Sequence, residues 1–242
     1  MNAAPAMQAT LLQLQGIDTR IAQIAHQART LPTTDDVDAR VQQIRLSRAE
    51  AIGELDDARA ELRRLESDVA TVEARIARDI DLIASSSSAK DVAGLESELV
   101  SLRKRRSDLE DLELVAMERV ELGERSAEAI AQNEAALMSE RESIVTGRET
   151  RLAELKAEHT ATVRDREAVA AQIDAPLLAQ YDRIREHSAG VGAALLRLRT
   201  CGGCTMTLTG GDLERVRNSP ADSVQFCPEC DRILVRTEES GI

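Results

Sequence analysis

The chain has 242 residues, of which 43% are hydrophobic but only 1% aromatic, and it carries a formal net charge of −12 at pH 7. Tyr181 and Phe226 are its only aromatic side chains. Ordinary globular cores lean on such groups, each burying about 150 to 250 Å², so the composition excludes a conventional globular domain for most of the length and points to helix–helix seams of Leu, Ile, Val and Ala. All but one unit of the acidic excess falls in residues 1–194, which argues against broad nucleic-acid binding along that stretch.

The opening MNAAPAMQAT has neither a basic region nor an apolar signal stretch. No window approaches the roughly 18 apolar residues of a membrane span, so the cytoplasm is the expected location. A first helix is expected over about residues 5–31, with a stripe at Leu14, Ile17, Ile21, Ile24, Ala28 and Leu31. Pro32 breaks it, and Thr33 to Asp36 restart a helix over about 35–84. Alternating steps of four and three from Val37 to Ile83 meet apolar residues at all positions but Arg48 and Asp79. That narrow stripe with a period of 3.5 specifies a left-handed coiled coil.

Ser85 to Ser88 interrupt this run, and Ser88 with Asp91 resembles a capping box. A third helix is expected over about 89–173, with its stripe at Leu95, Leu99, Leu102, Leu109 and Ala116, a weaker stretch through Gly123, and a return at Leu152 and Leu155. Pro176 ends it. The expected fold is mostly α: a long, kinked antiparallel coiled-coil hairpin over 1–175, a linker or short helix over 176–196, and a small zinc-ribbon domain over 197–242. With the serine segment as the tip, Leu62 and Leu65 should face Ala116. Arg103, Lys104, Arg105 and Arg106 form a basic collar near that tip. The tip is the favoured partner site, because the shaft is expected to spend its apolar residues on the seam and to present like charges.

Cys201-Gly-Gly-Cys204 and Cys227-Pro-Glu-Cys230 are two C-x-x-C knuckles separated by 22 residues. Two residues between thiolates let one tight turn aim both sulfurs at one ion, and two such turns complete a tetrahedral shell. Four thiolates leave no position for water or substrate, so one structural zinc per chain is expected, with no catalytic residues and no other cofactor. Iron or a redox dithiol also suits four sulfurs, but neither a second cluster motif nor a thioredoxin-like pattern accompanies them. Gly202 and Gly203 are expected to supply unusual backbone angles and close N–H approach, and Asp231 a left-handed residue. Met206, Leu208, Leu213, Val216, Val224, Phe226, Ile233 and Val235 are the candidate ribbon core, too small to fold without metal. Little core is expected to be shared with the rod. His26, His159 and His187 share no spacing with each other or with the cysteines, and neither a phosphate-binding loop nor a nucleophile–base set is present.

With these residues in view, the chain resembles the bacterial coiled-coil proteins that end in a C4-type zinc ribbon, and it is most similar to their actinobacterial members. The resemblance rests on AKDVAGLESELVSLRKRRSDLEDLELVAMERVE, LLAQYDRIREHSAGVGAALLRLRTCGGC and VQFCPECDRIL. It implies zinc on Cys201, Cys204, Cys227 and Cys230, a kinked helical hairpin, and a role in holding other proteins or nucleic acids. Some relatives are connected with flagellar or secretion machinery. The chain departs from the pattern at Asp231, where Gly is common, and at Val92, where many relatives carry an aromatic residue.

The expected function is therefore a non-enzymatic adaptor that contacts partner proteins through rod and ribbon, with neither a membrane nor a small-molecule substrate. The alternative is a nucleic-acid-binding ribbon, which gains ground if Arg197, Arg199, Arg215 and Arg217 converge on a face free of carboxylates.

Overall fold

A computed structural model describes residues 1–242. In chain order the elements are α1 (Pro5–Arg29), α2 (Asp35–Ser85), α3 (Ala89–Ala170), α4 (Ala175–His187), β1 (Ala193–Arg197), β2 (Thr200–Cys201), α5 (Gly210–Asn218), β3 (Gln225–Phe226), β4 (Ile233–Val235) and a closing 3₁₀ turn (Glu238–Ser240). The fold is mostly α, a coiled-coil hairpin with a small C-terminal ribbon. No helix is long and apolar enough to cross a membrane. The chain divides into two compact units, residues 33–145 and residues 1–32 with 146–242.

Within residues 33–145, α2 starts behind Pro32 with Asp35, Asp36 and Asp38 in its first turn, where carboxylates favour the positive end of the helix dipole. The heptad stripe buries Leu65, Val72 and Ile76 of α2 against Leu99, Leu109 and Ala116 of α3, with Leu62 packed on the same cluster. Val37, Val41 and Leu137 form a second cluster further along. The antiparallel register is flanked by ion pairs, among them Arg75 with Glu98, Arg59 with Glu124 at 2.7 Å and Arg40 with Glu140 at 3.2 Å.

The two polar interruptions of the stripe behave differently. Arg48 turns outward and, with Arg45, donates to Glu134 at 2.8 and 3.1 Å, holding that carboxyl below its usual range. Asp79 stays in the seam, buried, and its Oδ2 has no hydrogen-bond partner. At the tip, Ser88 Oγ accepts the Asp91 N–H at 3.4 Å, so half of the expected capping box forms.

In the other unit, α1 lies along residues 146–170 of α3, with Arg20 paired to Glu158 and Arg151 donating to Gln27. The first residues of α1 do more than extend a seam. Leu11 and Leu14 are fully buried in a cluster with Val169, Leu177 and Tyr181, and with Ala193, Val224, Ile233 and Val235 of the ribbon. The sheet order is β2-β1-β4-β3, with β1 parallel to β4 and the other neighbours antiparallel. Because successive strand residues point to opposite faces, Ile233 and Val235 of β4 meet α1 and α4, while Leu234 joins Ala194, Leu196, Leu208, Leu213 and Val216 beside the cysteines.

This two-faced sheet corrects two expectations. The ribbon and the helical base share one core, because a sheet with apolar residues on both faces must be covered on both. Residues 176–196 hold a short helix, α4, as one of the two alternatives for this stretch had it, and also most of β1. Met206 and Phe226, expected in the ribbon core, are exposed, because the strands devote their inward positions to aliphatic residues.

Candidate metal centre

The two knuckles are built alike. Thr205 N–H donates to Cys201 O at 2.8 Å, and Asp231 N–H donates to Cys227 O at 3.0 Å. Cys201 N–H then reaches Met206 O, and Cys227 N–H reaches Arg232 O, both at 2.9 Å. Each turn closes through a left-handed residue just after its second cysteine, Thr205 at φ 63° and Asp231 at φ 57°. Asp231 therefore does what its position suggested, since Asp tolerates this region better than most residues.

The glycines meet one of the two expectations placed on them, the close N–H approach to sulfur, and not the other. Neither Gly202 nor Gly203 has a positive φ. They are there for space: a Cβ on Gly202 would stand 3.0 Å from Leu195 O, and one on Gly203 would stand 2.5 Å from Arg232 Cδ. Arg232 cannot swing away freely, because its guanidinium is tied to Val191 O at 3.1 Å and Ser188 O at 2.8 Å. The Gly203 N–H also lies 3.4 Å from Cys201 Sγ. We expect Gly203→Ala to weaken the knuckle by about 1–3 kcal/mol, the usual cost of overpacking. A chelator titration of the variant should then show metal loss at lower chelator concentration than in the wild type, and an unchanged midpoint would refute this.

All four sulfurs lie within 4.8 Å of one another. Cys201 and Cys230 Sγ are 3.9 Å apart, and Cys204 and Cys227 Sγ 3.7 Å. A regular tetrahedron with metal–sulfur arms of about 2.3 Å has edges of about 3.8 Å, so the sulfur spacing fits zinc. The thiols differ in how readily each gives up its proton. Burial raises the Cys201 thiol, with proximity to Cys230 adding to it, and pushes the Cys227 thiol up to about 12. At Cys230 burial acts in the same direction, but hydrogen bonds from Arg232 and from the neighbouring thiols outweigh it and bring the group down to about 7. A divalent ion among the sulfurs reverses the penalty on the other thiolates.

Beside this centre is a polar set that heptad reading misses. Gln8, Gln15 and Asp18 are buried on one face of α1. Gln15 Oε1 accepts the Gly192 N–H at 2.7 Å and the Tyr181 hydroxyl at 3.2 Å. Asp18 accepts from the Tyr181 hydroxyl and from Arg166 Nε, each at 2.7 Å, and from Arg185 Nη1 at 3.3 Å. Burial first, and the bond to Asp18 second, raise the Tyr181 hydroxyl far above its ordinary value. The hint in the sequence was Tyr181 itself, an isolated aromatic in an aliphatic chain. His26, His159 and His187 join neither this set nor the sulfurs.

The knuckle pair and the hairpin agree with what similarity shows. A family described as the CT398-like coiled-coil hairpin domain matches residues 14–189, and a C4-type zinc ribbon domain matches residues 200–234. The chain belongs to the CT398-like family. Among its relatives are proteins Rv2229c and MT2288 from two strains of Mycobacterium tuberculosis, each 32% identical over 98% of both chains, which places it with actinobacterial members. A solved structure from Mycobacterium smegmatis is 28% identical, covers 98% of this chain and 100% of its own, and superposes with a TM-score of 0.65. CT398 from Chlamydia trachomatis, at 18% identity over 96% and 98% of the two chains, shares the fold with a TM-score of 0.61. Neither matched family is an enzyme family; the pairing of hairpin and ribbon fits a zinc-binding structural protein with one structural zinc.

Proposed function

We propose that the chain is a non-enzymatic cytoplasmic adaptor in which Cys201, Cys204, Cys227 and Cys230 hold the zinc, and in which the hairpin and ribbon contact partner proteins. The observation that carries this reading is the sulfur spacing. Four thiolates at tetrahedral distances close the ion's coordination shell, so the metal organises structure instead of activating water. What it organises is a sheet that binds the end of the hairpin on one face.

The nucleic-acid alternative loses support from the ribbon's arginines. Arg197 pairs with Glu239 at 3.4 Å, and Arg215 pairs with Asp212. Arg232 is held by backbone carbonyls, as is Arg236, which donates to Ser219 O at 2.8 Å and Pro220 O at 2.6 Å. Arg199 and Arg217 alone among the six have no such tie, a sparse footprint for a phosphate backbone.

The test is affinity capture from the native host with wild type, a ribbon variant and a tip variant in which Arg103, Lys104, Arg105 and Arg106 are Gln. Wild type should retain specific proteins that resist nuclease treatment and about 150 mM salt, and protein purified without added metal should contain one zinc per chain. Capture that vanishes with nuclease would turn the reading toward nucleic acid, and stoichiometric iron would overturn the zinc assignment.

A further inference from the structure

Residues 112–122 of α3 read Leu-Glu-Leu-Val-Ala-Met-Glu-Arg-Val-Glu-Leu. A two-helix seam needs apolar residues at only two positions of each heptad, and here Ala116 and Val120 fill them. Leu112, Leu114, Val115, Met117 and Leu122 lie off the seam, between 50 and 67% exposed. Elsewhere in residues 33–145 the exposed large apolar side chains are scattered, at Leu46, Ile52, Ile80, Leu82, Val100 and Met138. Five within about three turns exceed ordinary surface scatter. The expectation that the shaft spends its apolar residues on the seam therefore fails at this level.

The seam is also thin here. Ala58, Ala116 and Gly123 occupy it, and Leu55 Cδ1 fills the space of the missing side chain, 3.2 Å from where a Gly123 Cβ would stand. Small seam residues leave a cavity on each flank. One, of about 630 Å³, is lined by Glu54, Asp57, Ala58, Arg119 and Leu122. The other, of about 410 Å³, is lined by Leu62, Leu114, Met117, Glu118 and Glu121.

We infer that this mid-shaft section docks an amphipathic helix of a partner protein whose apolar stripe is bordered by Arg or Lys. The inference rests on the adaptor reading and names its surface. Charge selects the occupant. Glu54 and Asp57 on one flank and Glu118 on the other have no ion-pair partner, whereas Glu121 and Glu124 are engaged with Arg125 and Arg59. A cationic helix seated on either flank offers partners to the unpaired carboxylates of that flank while burying the apolar side chains that line it. A second copy would bring acidic flanks together in a chain that already carries −12. Met117 suits an adaptable groove.

The probe is a fluorescently labelled synthetic helix about five turns long, with Leu along one face and Arg bordering it, titrated against the full chain by anisotropy. A twin peptide carries Glu in place of Arg. Saturable binding of the Arg peptide is expected, with none of the Glu twin. The triple variant Leu114→Gln, Met117→Gln, Leu122→Gln, whose substitutions are exposed and helix-compatible, should keep its circular dichroism and weaken binding at least about tenfold. Glu54→Gln with Glu118→Gln should weaken it several-fold, most strongly at low salt. Retention of affinity within about twofold by the triple variant, or equal binding of the Glu twin, would overturn the inference. So would sedimentation showing a dimer that the triple variant abolishes, since the occupant would then be a second copy. Host capture separates this from the broader reading: if the triple variant keeps every wild-type partner, the adaptor stands and the mid-shaft site falls. If wild type captures nothing specific, the adaptor reading falls and the peptide titration still decides the groove.

Discussion

Removing zinc by chelation, or replacing Cys227 by Ser, should loosen far more than the ribbon while leaving residues 33–145 folded. Apparent binding energies for structural zinc are on the order of 10 kcal/mol at neutral pH, comparable with the whole net stability of a small domain. Without the ion, buried thiols remain on one face of the sheet with little else to fix the two knuckles. The other face of the same strands covers Leu11 and Leu14 of α1 and Leu177 and Tyr181 of α4. Loss of β4 therefore strips the apolar cover from both helices. Residues 33–145 have their own clusters at Leu65–Leu109 and Val37–Leu137 and do not draw on the sheet. Hydrogen exchange should show protection lost in the ribbon, in α4 and in the first half of α1, but kept through residues 37–140. The sequence alone suggested a ribbon that melts by itself. Unchanged protection in α1 of the apo protein would restore that simpler picture.

The contrast shows which features can be read along a chain. The heptads of α2 and α3 were legible because a seam repeats a local rule, so Leu62, Leu65 and Ala116 meet as their spacing requires. The knuckles were legible for a related reason: two residues between thiolates is a local geometric constraint, and it brings Cys201, Cys204, Cys227 and Cys230 together. Gln8, Gln15 and Asp18 were not legible, since their burial depends on strands and a helix more than 150 residues further along. The N–H approach of the first knuckle's glycines to sulfur was legible, but their clearance from the Leu195 backbone and the Arg232 side chain was not, because only tertiary structure brings those groups near. Leu112, Leu114 and Val115 are apolar in the sequence, but a period of 3.5 specifies only the seam positions and carries no information on residues that face outward. The shared core of ribbon and base was hidden by the short length of β4, in which Leu234 faces one way and Ile233 and Val235 the other.

Asp18→Ala is expected to be the most damaging single substitution outside the cysteines, at about 3–5 kcal/mol, the usual cost of breaking a buried charge pair from one side. Asp18 is only 4% exposed and sits between Arg166, Arg185 and the Tyr181 hydroxyl. Its removal leaves two partly buried guanidiniums with only the more exposed Asp182 to share, at 2.7 Å from Arg166 and 3.6 Å from Arg185, and a fully buried hydroxyl with only Gln15 to accept its proton. The hydrogen bond to Asp18 is also the chief reason the Arg166 guanidinium is held more firmly protonated than usual. Tyr181→Phe deletes only the hydroxyl and keeps the ring, so it should cost nearer 1 kcal/mol. A control comes from the hairpin, where Arg40 and Glu140 are each about half exposed. Water screens such a pair and its net worth is at most about 1 kcal/mol, so Glu140→Gln should scarcely move the denaturation midpoint. Buried charge also predicts a rescue. Replacing Asp18 by Leu together with Arg166 and Arg185 by Met removes the buried charges and leaves only Asp182, 35% exposed and open to water, without its arginines, so it should recover much of the loss. Denaturant unfolding of zinc-loaded protein, followed by exchange in α4, measures all four variants. If Asp18→Ala costs less than about 1 kcal/mol, or the apolar triple is no more stable than Asp18→Ala, the anchor of α4 is the apolar packing of Leu177, Tyr181 and Ile184, with the carboxylate incidental.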